Sequence, residues 1–137
     1  MKTVALDIGD RWTGIAISDI LGITARPLET VEAKDLDSFL ANLIKQEEID
    51  TVVVGYPKTM RGTESDQTKK VVAQFEKLKV VFPNLAWVLW DERLTSKQAS
   101  HLKKAVTKQE KRHSHSVAAA LILTTYLDFK NLQSSLE

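Results

Sequence analysis

Val4-Ala5-Leu6-Asp7-Ile8-Gly9-Asp10 is the stretch on which the fold turns. Val4, Ala5, Leu6 and Ile8 make a short apolar run, the mark of a strand buried on both faces. Asp7 interrupts it with a carboxylate, and a buried acid is costly unless it is paired, hydrogen-bonded or bound to a cation. Gly9 then gives the backbone freedom to turn, or another group room to approach. Two readings of Asp7 stand at this point: a cap on a turn at the strand's end, or a ligand for a metal ion in a nuclease-type site.

The segments that follow arrive without helical spacing. Gly14-Ile15-Ala16-Ile17 reads as a second strand, and Ser18-Asp19-Ile20-Leu21-Gly22 has turn chemistry, so a hairpin is expected. A third strand spans about residues 24–31 and contains Pro27, which cannot donate to a ladder and belongs at an edge. The period then changes. Leu36, Phe39, Leu40, Leu43 and Ile44 fall at the spacing of an amphipathic helix, with Asp35 placed to cap it. Thr51-Val52-Val53-Val54, stopped by Gly55, is a buried strand parallel to the first. After a loop over 55–62, a helix over about 65–80 turns Val71, Val72, Phe75 and Leu78 to the core. Leu85-Ala86-Trp87-Val88-Leu89-Trp90 is a further strand, met at its end by Asp91-Glu92-Arg93. A short helix over about 96–104 and a basic loop lead to a last helix over about 116–129. Val117 to Leu123 is apolar all round, which predicts burial on every side. Residues 131–137 read as a loose tail. The order β-β-β-α-β-α-β-α-α gives an α/β fold: a mixed five-stranded sheet with helices on both faces, forming one domain over residues 1–130.

The chain has 137 residues, 43% hydrophobic and 27% charged, the balance of an ordinary globular protein with one sizeable core. No apolar run reaches the roughly 18 residues that span a membrane, and Met1-Lys2-Thr3 leads into a strand, not a signal peptide. A cytoplasmic protein is therefore expected, with no membrane partner. Cysteine is absent, which excludes disulfides and thiolate metal sites. A metal site here must use oxygen or imidazole ligands, the set that suits magnesium or manganese. Net charge is +1, but it is unevenly spread. Glu29 to Asp50 holds seven acids and two lysines, whereas Lys97 to Arg112 holds six basic residues against Glu110 alone. A polyanion held by the later segment, with the acidic stretch facing elsewhere, fits that pattern.

Asp7 and Glu92 both stand at the C-terminal ends of apolar strands, where ligand sites of open α/β sheets gather. Arg11, Lys58, Arg61 and Arg93 lie in segments following strands or turns, as phosphate contacts require; Lys97, Lys103 and Lys104 extend the nucleic-acid-binding set.

Five motifs occur in order: Asp7-Ile8-Gly9; Gly14-Ile15-Ala16-Ile17-Ser18-Asp19; Val54-Gly55-Tyr56-Pro57 with Met60 and Gly62; Asp91-Glu92-Arg93-Leu94-Thr95-Ser96; and Ala118-Ala119-Ala120-Leu121-Ile122-Leu123. Together they resemble the YqgF family, candidate bacterial pre-16S rRNA nucleases also described as Holliday junction resolvase-like, over about residues 3–129. The resemblance implies a ribonuclease H-like fold with sheet order 3-2-1-4-5, and a metal-dependent phosphodiesterase that matures the 5′ end of 16S rRNA. Its motif carries over as Asp7, Glu92 and a third position that opens the final helix, three residues before the paired alanines. The family has an acid there and this chain has His115. The implied catalytic and metal-ligating set is Asp7, Glu92 and His115, holding Mg2+ or Mn2+. A second departure is Trp12, where the family has a basic residue.

The partner implied is nucleic acid, pre-16S rRNA or a ribosomal precursor. The alternatives are branched DNA cut by a junction-resolving endonuclease, and rRNA bound without cleavage by an assembly factor. An Asp-x-Gly strand with a hairpin also opens the actin and sugar-kinase fold, but that fold clasps a nucleotide between two such domains, and this length provides one.

Overall fold

The computed structural model describes residues 1–56, 66–91 and 108–136, with the last helix's side chains described over 115–135. β1 (Lys2–Ile8), β2 (Trp12–Ser18) and β3 (Ala25–Glu32) form an antiparallel meander. A 3-10 turn over Ala33–Asp35 leads into α1 (Leu36–Glu47). β4 (Ile49–Tyr56), α2 (Asp66–Val81), β5 (Ala86–Asp91) and α3 (Lys108–Leu136) complete the order. The sheet runs β3-β2-β1-β4-β5, with β4 parallel to both β1 and β5. That is the expected fold class and strand order. The short helix expected over about 96–104 lies outside the described residues.

Side-chain alternation along the central strands divides the core in two. Val4, Leu6, Ile15, Ile17, Val52 and Val54 pack under α1 and α2. Ala5, Ala16 and Val53 face α3, meeting Ala119, Ala120, Ile122, Leu123 and Leu127. β1, β2 and β4 are thus buried on both sides, which is why these strands read as continuous apolar runs. Small residues meet small residues on the α3 side, so this helix lies close to the sheet. Trp87 and Trp90 sit on opposite faces of β5. Trp87 stacks edge-on to Phe75 and donates to the Phe82 carbonyl at 3.0 Å; Trp90 packs on Tyr126 and donates to Thr125 Oγ1 at 2.9 Å. Each ring is half-buried against the core without stranding its N–H.

Pro27 does occupy an edge strand, and the ladder slips beside it, between Ile15 and Ala16. The β2–β3 turn is closed by Asp19, whose Oδ1 accepts the Ile23 and Thr24 N–H groups at 2.7 and 3.1 Å. Those bonds, Thr24's first, hold the Asp19 carboxyl below its usual range.

Three local expectations change. Asp35 occupies the N-cap position of α1 but makes no side-chain capping bond, because the preceding 3-10 turn already leads the backbone into the helix. Thr68 joins Val71, Phe75 and Leu78 on the buried face of α2, while Val72 is half-buried. The last helix is longer than its apolar core: it runs from Lys108 to Leu136, so residues 131–136 continue it instead of forming a loose tail. Asn131 Nδ2 donates to the Gly22 carbonyl at 3.0 Å, tying that end to the β2–β3 turn. Val117, Ala118 and Leu121 are only half-buried, since α3 covers one face of the sheet and shows its other side outward. No helix among the described residues is long and apolar enough to cross a membrane.

The α1–β4 connection is a single residue, Glu48, in the left-handed region at φ 52. Glycine is the usual residue there because a Cβ is penalised. Replacing Glu48 by Gly is expected to stabilise the fold by about 0.5–1 kcal/mol, relief of the left-handed cost less the extra entropy of an unfolded glycine. A denaturation midpoint that moves down would show that the Glu48 side chain contributes more than its backbone costs.

Candidate active site

Asp7 is two residues beyond Ala5 and so shares its α3 face, at the end of β1. Opposite it in the antiparallel ladder stands Gly14. A Cβ on Gly14 would lie 2.0 Å from the His115 carbonyl oxygen and 2.6 Å from the Ser116 nitrogen. The backbone of α3 therefore rests on the sheet where Gly14 presents no side chain, and this contact sets His115 over Asp7.

His115 Nδ1 lies 3.7 Å from Asp7 Oδ2, with the imidazole 33% and the carboxylate 19% exposed. That is too long for a hydrogen bond. Two donors each about 2.1 Å from one shared cation lie at most about 4.2 Å apart, so a single divalent ion fits between them. One carboxylate oxygen with one imidazole nitrogen is a donor pair that accepts manganese more readily than magnesium. Gly9 borders the ring: a Cβ there would lie 3.6 Å from His115 Cε1. Its N–H donates to the Trp12 carbonyl at 2.9 Å, closing the four-residue turn between β1 and β2.

Arg11 occupies that turn. Its guanidinium lies over the Trp12 ring, 5.2 Å from the centroid, and its carbonyl accepts the Ala33 N–H at 2.8 Å. Trp12, which departs from the family pattern, thus gives Arg11 an aromatic surface to stack on, an arrangement suited to guanidinium.

Of the residues read from the sequence, Asp7 and His115 come together, and Arg11 stands in the adjoining turn. Glu92, Arg93, Lys58, Arg61, Lys97, Lys103 and Lys104 lie outside the described residues. Glu92 directly follows Asp91, the last residue of β5, whose register with Tyr56 brings the ends of the parallel strands β1, β4 and β5 to one edge of the sheet. Among the described residues no group of three or more His, Asp or Glu side chains gathers for a metal ion. One expectation is corrected. His115 does not open the last helix, which begins at Lys108; it sits inside the helix, where packing against Gly14 fixes it. Gly14, expected only as the start of the second strand and part of a motif, is the seat of α3; its pairing opposite an acid on the central strand is the signal that points to it.

The family described as RuvX, Holliday junction resolvase, matches residues 1–129. A relative from Rubrobacter xylanophilus, named as a candidate pre-16S rRNA nuclease, is 38% identical over 128 residues, covering 93% of this chain and 92% of that protein. One of the same description from Fusobacterium nucleatum is 41% identical over 135 residues, covering 94% and 98%. Among solved structures, Thermus thermophilus RuvC in complex with a Holliday junction substrate matches with TM-score 0.61 at 20% identity over 95% of each chain. A second structure of Thermus thermophilus RuvC matches with TM-score 0.56 at 14% identity, over 95% of this chain and 97% of that one. These two likenesses concern the fold.

Proposed function

The chain belongs to the RuvX family, the YqgF family that the motifs resemble, and from that premise we propose that it is a metal-dependent nuclease maturing the 5′ end of pre-16S rRNA. The observation that carries this reading is the Asp7–His115 pair, facing across 3.7 Å beside the ends of the parallel strands. Relatives named for pre-16S rRNA and 38–41% identical support the substrate. A cytoplasmic location follows from that substrate.

Hydrolysis of a phosphodiester requires charge to be neutralised on the phosphate and a water to be made acidic enough to attack. Divalent cations, when bound, supply both. Asp7, Glu92 and His115 are the residues that would hold them, Asp7 with a full negative charge and His115 with a neutral nitrogen. Arg11, stacked on Trp12, would hold the strand by its phosphates, and Lys58, Arg61, Arg93, Lys97, Lys103 and Lys104 would add affinity without reading sequence. The family description favours branched DNA as a second reading. Purified protein incubated with a 16S precursor fragment and with a four-way DNA junction, each with and without manganese, decides between them. Metal-dependent cutting of the junction alone would overturn the RNA reading, and cutting of neither would overturn both.

His115 gives a second test. With imidazole in place of an acid, the site is one negative charge poorer, which lowers magnesium affinity and favours manganese. His115→Asp is expected to retain activity and shift the preference toward magnesium, and His115→Ala to lose activity roughly a hundredfold, the range seen when a metal site is impaired. Equal, wild-type-like rates and metal preference in both variants would exclude His115 as a ligand.

A further inference from the structure

A cavity of about 170 Å³ opens on the other face of the sheet from Asp7, between the β1–β2 turn and α2. Its walls mix apolar and polar groups: Ile8 and Leu36 on one side, and Gln67, Lys70 and Gln74 along one face of α2. Thr13 also lines it and is wholly buried, and its Oγ1 meets no hydrogen-bond partner among the described residues. A buried hydroxyl left unsatisfied is destabilising, and a polar ligand group that reaches it removes that cost. The Gln67 amide is anchored, its Nε2 donating to the Ile8 carbonyl at 3.2 Å, and among the described residues its oxygen has no donor. At the rim, Lys70 Nζ lies 3.4 Å from Asp10 Oδ1, and both side chains are about two-thirds exposed or more (68% and 71%), a pairing that solvent screens and a ligand can open.

We propose that this cavity takes one unstacked nucleobase of the strand held at Asp7, a subsite that rests on the nucleic-acid reading above. The volume equals about six waters, the scale of one heterocyclic base. A phosphate is disfavoured by the apolar walls and by Asp10 beside the lysine. A flat ring with polar edges is favoured: the walls cover its faces, Thr13 and the two glutamine amides meet its edges, and Lys70 reaches the neighbouring phosphate. Asp7 and the cavity lie on either side of the same hairpin, three residues apart at Asp10, so a strand crossing that turn can engage both. Gln67, Lys70 and Gln74, at the i, i+3, i+7 spacing of one helix face, are the sequence signal, and it has no meaning until α2 is set against the turn.

The test is binding of a single-stranded RNA carrying one abasic nucleotide, moved along the strand one position at a time, in EDTA so that no cleavage intervenes. Wild-type protein is expected to lose affinity roughly tenfold at one position and little elsewhere. Gln74→Leu and Ala33→Leu, the second partly filling the cavity, should flatten that profile. Thr13→Val should weaken the same position without lowering Tm, because it replaces an unsatisfied hydroxyl by a methyl of equal shape. An even profile in wild type, or an unchanged peak in both Gln74→Leu and Ala33→Leu, overturns the subsite. A flat profile with metal-dependent cleavage intact removes the subsite and leaves the nuclease. A peak without cleavage of either substrate does the reverse. No binding to any strand removes both.

Discussion

Asp7→Asn is expected to lower phosphodiester cleavage by at least about a thousandfold while leaving the protein folded. The substitution keeps the shape of the side chain and one carbonyl oxygen, but removes the negative charge that would hold a divalent cation beside the phosphate. Metal-centred charge neutralisation contributes several kcal/mol to such reactions, and each 1.36 kcal/mol is tenfold in rate. The fold should not notice the change. The backbone of Asp7 pairs with Gly14 whatever the side chain, and its carboxylate is 3.7 Å from His115 Nδ1, beyond hydrogen-bonding distance. Cleavage of a 16S precursor fragment in manganese, beside a thermal melt within a few degrees of wild type, is the measurement. A rate within tenfold of wild type would displace Asp7 from the centre of the site.

Much of this architecture is legible in the chain because the central strands are buried on both faces and carry no ambiguity of period. Val4 to Leu6 and Val52 to Val54 can only be interior strands, Pro27 can only be at an edge, and the two tryptophans of β5 alternate as a strand requires. What the chain does not display is anything set by distance. Glu48 ends a helix without the glycine that marks such a stop, because a one-residue connection forces the left-handed turn on whatever residue stands there. The full length of α3 is hidden because its first turns and its last are polar, and apolar patterning reports only the part that meets the sheet. The pairing of Asp7 with His115 spans 108 positions and depends on where a helix axis lies, which residue types at either end do not state. Only the family resemblance joined them, and it placed His115 at the helix's start.

Gly14→Ala should strike both stability and catalysis, and so tests whether the seat of α3 builds the site. The added Cβ would fall 2.0 Å from the His115 carbonyl oxygen and 2.1 Å from its carbonyl carbon. These are backbone atoms inside a helix, so no side chain can rotate away; the helix or the strand must move. Inserting a methyl group into a packed interior costs about 1–3 kcal/mol, and a clash with backbone belongs at or above the upper end, roughly a 10 °C fall in Tm for a domain of this size. Movement of α3 also carries the imidazole away from Asp7, and misplacement by about 1 Å costs on the order of a hundredfold in rate. Activity measured well below the lowered Tm is therefore expected to stay depressed even though the protein is folded. If Gly14→Ala loses stability but keeps its rate, the helix backs away without disturbing the Asp7–His115 pair, and the close approach serves packing alone. If it loses neither, α3 does not rest on β2 at this point.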